Sequence, residues 1–308
     1  MSAKESTPKP VSLYEFMARF PDEEAARKFF ESRRWAAGMA CPYCESKDVA
    51  ECKDHKPMPY RCKACRKHFS VRTGSVLAES KIPLQKWLMA IYMLHTARKG
   101  VSSVQMAKEL GVTQKSAWFL DHRIREAMKT RGGLFAGKVE VDETYIGGKE
   151  KNKHASKKLK AGRGPVGKTA VVGILQRGGK VTATPVESTD SVTLHTLIKD
   201  TVQPGATVFT DEHRSYLGMK GFRHSSVNHS AGEYVRHQAH TNGVESFWAL
   251  LKRGYYGIHH SMSCKHLHRY VNEFAHRHNT VKLDMFACLA QTIDGMLGRR
   301  LTYQKLIA

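Results

Sequence analysis

Acidic residues are scarce in this chain of 308: 28 Asp and Glu stand against 50 Lys and Arg, a formal charge of +22. So large a surplus of one sign is the electrostatic footprint of a polyanion partner. The basic residues are spread along the chain rather than arrayed on one amphipathic helix, which argues against a membrane-surface binder. No apolar run approaches twenty residues, which excludes a spanning helix. The first residues, MSAKESTPKPVSLYEF, lack the apolar stretch of a secretory signal, so the expected compartment is the bacterial cytoplasm, in association with the nucleoid. No internal repeat is present. No Ser-His-Asp or Cys-His spacing suggests a nucleophilic hydrolase.

Cysteine is also sparse, but four of the seven form two CxxC pairs, Cys41-Pro42-Tyr43-Cys44 and Cys62-Lys63-Ala64-Cys65. In a reducing compartment such pairs bind metal rather than form disulfides. Four thiolates suit one tetrahedral structural Zn²⁺ and leave no open position for chemistry. The strand-like run Arg66 to Val71 completes the pattern of a zinc ribbon.

Periodicity divides the chain into an N-terminal helix over 12–37, the ribbon over 38–75, a helix-turn-helix region over 76–132, and a catalytic domain with a helical tail over 136–300. Arg131-Gly132-Gly133 is the expected hinge. In the helical region Gly111 separates two short amphipathic helices, Thr113 caps the second, and Gln114, Lys115 and Arg123 are candidates for DNA contact. The Lys- and Gly-rich stretch 149–168 reads as a basic loop, with Lys168 at its end. Within it, Gly162 to Thr169 matches a phosphate-loop pattern. The β-branched run from Thr169 predicts a strand where that motif needs a helix, so no nucleotide cofactor is expected.

Three of the scarce acids carry the functional reading. Asp142 and Asp211 each end an apolar-alternating stretch, and Glu245 lies on a helix whose Asn242, Glu245, Ala249 and Lys252 share a face. Residues 138–146, 169–176 and 180–186 read as three strands, followed by a helix over 190–202, a strand ending at Asp211, a short helix, a strand over 222–227 and the Glu245 helix. That order is ribonuclease-H-like and α/β. It predicts the first and fourth strands adjacent, with Asp142 beside Asp211. Oxygen ligands so arranged can hold paired Mg²⁺ or Mn²⁺ ions. Lys252 could hold a phosphate, and Arg253 could join it on DNA. Among the histidines, His229, His240 and His260 are candidates for neighbours of the site.

Long strings extend these motifs: Phe20 to Ala25, Phe69 to Ser75, Lys81 to Trp87, Val141 to Gly148, Thr210 to Glu212, Val227 to His229, His240 to Gly254, and Lys265 to Tyr270. On them the chain resembles DDE transposases of the insertion-sequence family fifteen-ninety-five, whose catalytic region is the ISXO-two-like domain. The resemblance implies metal-dependent DNA cleavage and strand transfer at the ends of an insertion sequence, with Asp142 and Asp211 as the first two catalytic acids. It also implies double-stranded DNA partners, both element ends and target, and a homo-oligomer on DNA. Members of the family carry either Asn or Glu at the third position. Glu245 is expected there because a carboxylate neutralises cation charge and an amide does not, with Asn242 as accessory or substitute ligand. The alternatives are a domesticated, non-catalytic DNA-binding regulator using residues 38–130, and a nuclease that cuts without joining.

Overall fold

In the computed structural model, which describes residues 10–52, 54–130, 132–148, 154–158, 165–226 and 240–308, two helices rather than one precede the cysteines. Helix α1 (Leu13–Arg19) starts at a reciprocal cap between Ser12 and Glu15. Pro21 has no N–H to donate and disfavours a helical Phe20, so the helix stops there. Asp22 then accepts the Ala25 N–H and starts α2 (Glu23–Arg34). The single helix expected over 12–37 is therefore broken at Phe20-Pro21.

Strands β1 (Val49–Glu51), β2 (Tyr60–Cys62) and β3 (His68–Phe69) form an antiparallel sheet in that order. Three helices follow. The first, α3 (Leu84–Thr96), is buried along Leu84, Trp87, Leu88, Ile91 and Leu94. Next, α4 (Ser103–Leu110) ends at Gly111 in the left-handed conformation, and α5 (Gln114–Ala127) begins where the Thr113 hydroxyl accepts the Ser116 N–H.

The second half builds a five-stranded sheet. Its strands are β4 (Lys138–Ile146), β5 (Thr169–Gln176), β6 (Val181–Val186), β7 (Thr207–Thr210) and β8 (Arg223–Ser226), ordered β6-β5-β4-β7-β8. β4 is antiparallel to β5 and parallel to β7, and β7 is parallel to β8. The first and fourth strands of the sheet are thus neighbours, as the order of elements predicted. Alternation assigns each strand two faces. Val139 and Val141 pack with Val172, Ile174 and helix α6 (Ser191–Thr201) through Leu194 and Ile198. The opposite face carries α7 (Asn242–Gly254) and α8 (Cys264–Asn279), whose Val244, Phe247, Trp248, Val271 and Phe274 cover Val171 and Leu175. Asp142 lies in the middle of β4 rather than at its end.

The tail differs from expectation. Helix α9 (Met285–Met296), followed by α10 (Tyr303–Ile307), was expected to extend the catalytic domain to residue 300. The chain instead forms two compact units, residues 1–129 with 282–308, and residues 130–281. Leu289, Ile293 and Met296 of α9 belong to the same core as Phe16, Phe30, Trp87 and Leu120. Asp294 pairs with Arg33 at 2.6 Å, and Thr292 with His95 at 2.9 Å. No helix among the described residues is long and apolar enough to cross a membrane.

This packing predicts that Leu289→Ala costs about 2–5 kcal/mol, the range for a buried Leu truncated to Ala. Hydrogen exchange locates the damage: protection should fall in α2, α3 and α5 and persist in β4, β5 and β7. Loss confined to the sheet would show that the tail had been assigned to the wrong unit.

Candidate metal centres

Both cysteine knuckles close on the same backbone device. The residue after each second cysteine, Glu45 and Arg66, has a positive φ (61° and 60°), which turns the chain back beneath the thiols. Sγ atoms of Cys41 and Cys65 lie 3.6 Å apart, as do those of Cys44 and Cys62, and all four fall within 4.8 Å of one another. Thiolates about 2.3 Å from a tetrahedral Zn²⁺ stand roughly 3.8 Å apart, so the cage fits that ion. The backbone N–H of Cys65 points at Cys62 Sγ and, with the neighbouring thiols, brings Cys62 down to about 7. Trp35, Tyr60 and Phe69 pack behind the cage.

The acids meet where β4 and β7 part. Their parallel register pairs Lys138 with Thr207, Val139 with Val208 and Glu140 with Phe209. Carried two residues further, it sets Asp142 opposite Asp211. Burial, then the carboxylates of Glu143 and Asp211, push Asp142 up to about 7. Glu143 is also raised by burial and by Asp211, against a 2.6 Å hydrogen bond from the buried Tyr216 hydroxyl that favours its charged form. The Asp211 carboxylate accepts the His213 N–H at 3.0 Å.

Helix α7 reaches this cluster through an indole. Trp248 Nε1 donates to Asp142 Oδ2 at 2.9 Å. The ring sits against β5 at Gly173, the residue paired with Asp142, where an added Cβ would stand 2.5 Å from it. Only glycine leaves room for that approach. Glu245 lies one turn before Trp248, exposed, its Oε1 accepting the Thr241 hydroxyl at 2.7 Å. Asn242, Lys252 and Arg253 are exposed on the same helix. The structure therefore brings Asp142, Asp211 and Glu143 into one electrostatic cluster, and Glu245 lies on the helix whose Trp248 reaches it. Among the described residues, only the four cysteines place three or more donor atoms within 4.8 Å of one another.

Sequence reasoning overlooked Glu143 and Trp248. Glu143 follows Asp142 but points to the other face, so alternation gave no reason to join them. Trp248 reads as apolar filling, and its N–H was the signal. Of the candidate histidines, His240 lies 3.3 Å from Glu140 and His260 is exposed, while His229 lies outside the described residues.

The candidate DNA contacts divide. Gln114 and Lys115 are exposed at the start of α5, where Gln114 donates to Ser103 and Lys115 sits 4.7 Å above the Tyr303 ring. Thr113 spends its hydroxyl on the cap. Arg123 is a correction: it is 5% exposed, donates to the Ala78 carbonyl and packs over Trp87 and Phe119. Its guanidinium ties the fold together and does not face a groove. Lys168 is half-buried beside Gly147, in a turn that leads into strand β5 and not into a helix. Arg131 and most of the basic loop lie outside the described residues.

Comparison with known proteins agrees with this layout. Residues 21–68 match the transposase zinc-ribbon domain and residues 135–279 the ISXO2-like transposase domain, which makes the class of protein a transposase. A protein of the transposable element ISH50 from Halobacterium salinarum is 30% identical over 247 residues, covering 76% of this chain and 83% of the relative. A transposase-like protein of Haemophilus influenzae is 30% identical over 121 residues, 38% of this chain and 97% of its own length. The chain belongs to the ISXO2-like transposase family. A simian T-cell lymphotropic virus intasome in complex with a PP2A regulatory subunit aligns at 16% identity over 60% of this chain and 65% of its own, with a TM-score of 0.29 that carries no weight for the fold.

Two outcomes follow from these centres. Cys41→Ser should lose one equivalent of zinc and collapse the ribbon's melting transition, since structural zinc contributes on the order of 10 kcal/mol in small sites. Unchanged metal content and melting would remove the zinc assignment. For Asp142, the folded state holds a proton that the unfolded chain has released between about pH 4 and 7. Stability in magnesium-free buffer should therefore fall relative to Asp142→Asn as pH rises through that window. A pH-independent difference in melting temperature would contradict the raised value.

Proposed function

We propose that this chain is a DDE-type DNA transposase, a metal-dependent polynucleotidyl transferase that cleaves and joins strands at the ends of an insertion sequence. The observation that carries the reading is the register of β4 and β7, the two neighbouring inner strands of the sheet, which sets Asp142 against Asp211. The strand order supports a ribonuclease-H-like arrangement. Asp142, pushed toward protonation by the carboxylates beside it, is a group that divalent cations would relieve, and hard oxygen donors suit Mg²⁺ or Mn²⁺. When bound, such ions would supply an activated water for phosphodiester attack and stabilise the leaving 3′ oxygen.

In this reading Asp142 and Asp211 hold the ions. Trp248 orients Asp142, and Glu245 turns from Thr241 to complete the ligand set. Asn242 is an accessory or substitute ligand. Lys252, two turns beyond Glu245, holds a phosphate, and Arg253 and Lys168 add backbone contacts. The ribbon and the α4–α5 pair, as a helix-turn-helix, bind element ends with Gln114 and Lys115 foremost. The partners are double-stranded DNA and further copies of the chain, and the setting is the cytoplasm. A purely DNA-binding regulator would have no use for mutually repelling carboxylates beneath an indole donor.

The third ligand is the sharpest test. Glu245→Gln should reduce cleavage of a labelled element-end duplex by at least about a hundredfold while duplex binding is kept, because a full charge leaves the site. Asn242→Ala should be milder, since water can replace a neutral ligand. Lys252→Ala should weaken positioning of the end more than metal dependence. An active Glu245→Gln with a dead Asn242→Ala would make the set Asp-Asp-Asn and refute the charge argument.

A further inference from the structure

Glu140 shares the α7 face of β4 with Asp142, two residues away, but it is 1% exposed. Its Oε2 accepts the backbone N–H groups of Gly243 at 2.8 Å and Val244 at 3.1 Å. These lie in the first turn of α7, where no intrahelical carbonyl is available to them. Its Oε1 accepts Arg177 Nε at 2.8 Å. Arg177 donates onward to the His240 carbonyl at 2.7 Å and lies 4.1 Å over the Phe209 ring. An added Cβ at Gly243 would stand 2.8 Å from Glu140 Oε2, so a side chain there would displace the carboxylate or the start of the helix. A carboxylate buried this deeply persists only when paired and hydrogen-bonded.

The anchor points follow a pattern. Glu140, Phe209 and Gly243 stand two residues before Asp142, Asp211 and Glu245 respectively, and Glu140 and Phe209 are themselves register partners. We propose that Glu140, with Arg177, is a positioning device that fixes the start of α7 against β4 and β7 and thereby sets the spacing of the three acids. It touches neither DNA nor metal. The proposal rests on the metal-ion reading above and adds to it the residues that hold the ligands in place, for which shifts of about 1 Å matter.

Glu140→Gln keeps the shape and removes the charge. In the full chain, Mn²⁺ binding should weaken about tenfold or more by calorimetry, the loss typical of a missing supporting contact. Amide exchange at Gly243 and Val244 should accelerate, and element-end duplex binding should stay within about twofold of wild type. A folded Glu140→Gln with wild-type Mn²⁺ affinity and wild-type exchange at those two amides overturns the proposal. Should Glu140→Gln fail to fold, Glu140→Met combined with Arg177→Met substitutes an apolar pair of similar volume, which buried ion pairs tolerate. That variant leaves the two N–H groups without an acceptor, and the same two measurements decide. Asp142→Asn separates the readings. If it and wild type titrate Mn²⁺ identically, the metal assignment fails, while the exchange rates still report on the clamp.

Discussion

Parallel pairing between β4 and β7 is the constraint on which the site depends. Strands far apart in sequence become neighbours, and their hydrogen-bond register leaves no freedom in which residues face each other. A slip of one residue would turn Asp142 toward α6 and bury Val141 against α7. Both faces of the sheet are covered, so the register is enforced twice, by Val139 and Val141 on one side and by the Glu140 and Asp142 contacts on the other. Asp142 is thus carried by a strand packed on both faces.

Two carboxylates on one strand face show how environment divides similar side chains between different tasks. Glu140 meets a guanidinium and two backbone N–H groups, so its charge is matched inside the protein. Asp142 meets one indole N–H and two other acids, so its charge is not. Matched charge gives rigidity. Unmatched charge is what a cation would relieve in the proposed reading, and in a protein of +22 it is a local acidic spot in an otherwise basic field.

Much of this could be read from the residues. Strand alternation and helix periodicity gave β4 over 138–146, the hairpin of β5 and β6, and α7, because each segment's local preference agrees with its place in the sheet. Cysteine spacing gave the ribbon. What escaped has a common cause: contacts between residues far apart in the chain. Arg123 looks like a surface base until Trp87 and Phe119 close over it. Glu140 looks like one more polar position in an alternating strand until Gly243 arrives. The tail's membership of the first unit depends on which apolar surface α9 finds, and periodicity reports only that it has one.

The return of α9 to the first unit orders events at the ribosome. Leu289, Ile293 and Met296 cover apolar surface on α2, α3 and α5, but they are synthesised after the whole of residues 130–281. Domains commonly complete themselves in order of synthesis. Here the second unit has all its residues first, while the first waits with part of its core open. A nascent chain therefore gains its sheet before its N-terminal core is closed, and a message cut short anywhere before α9 yields a product with an unfinished core, exposed to proteolysis.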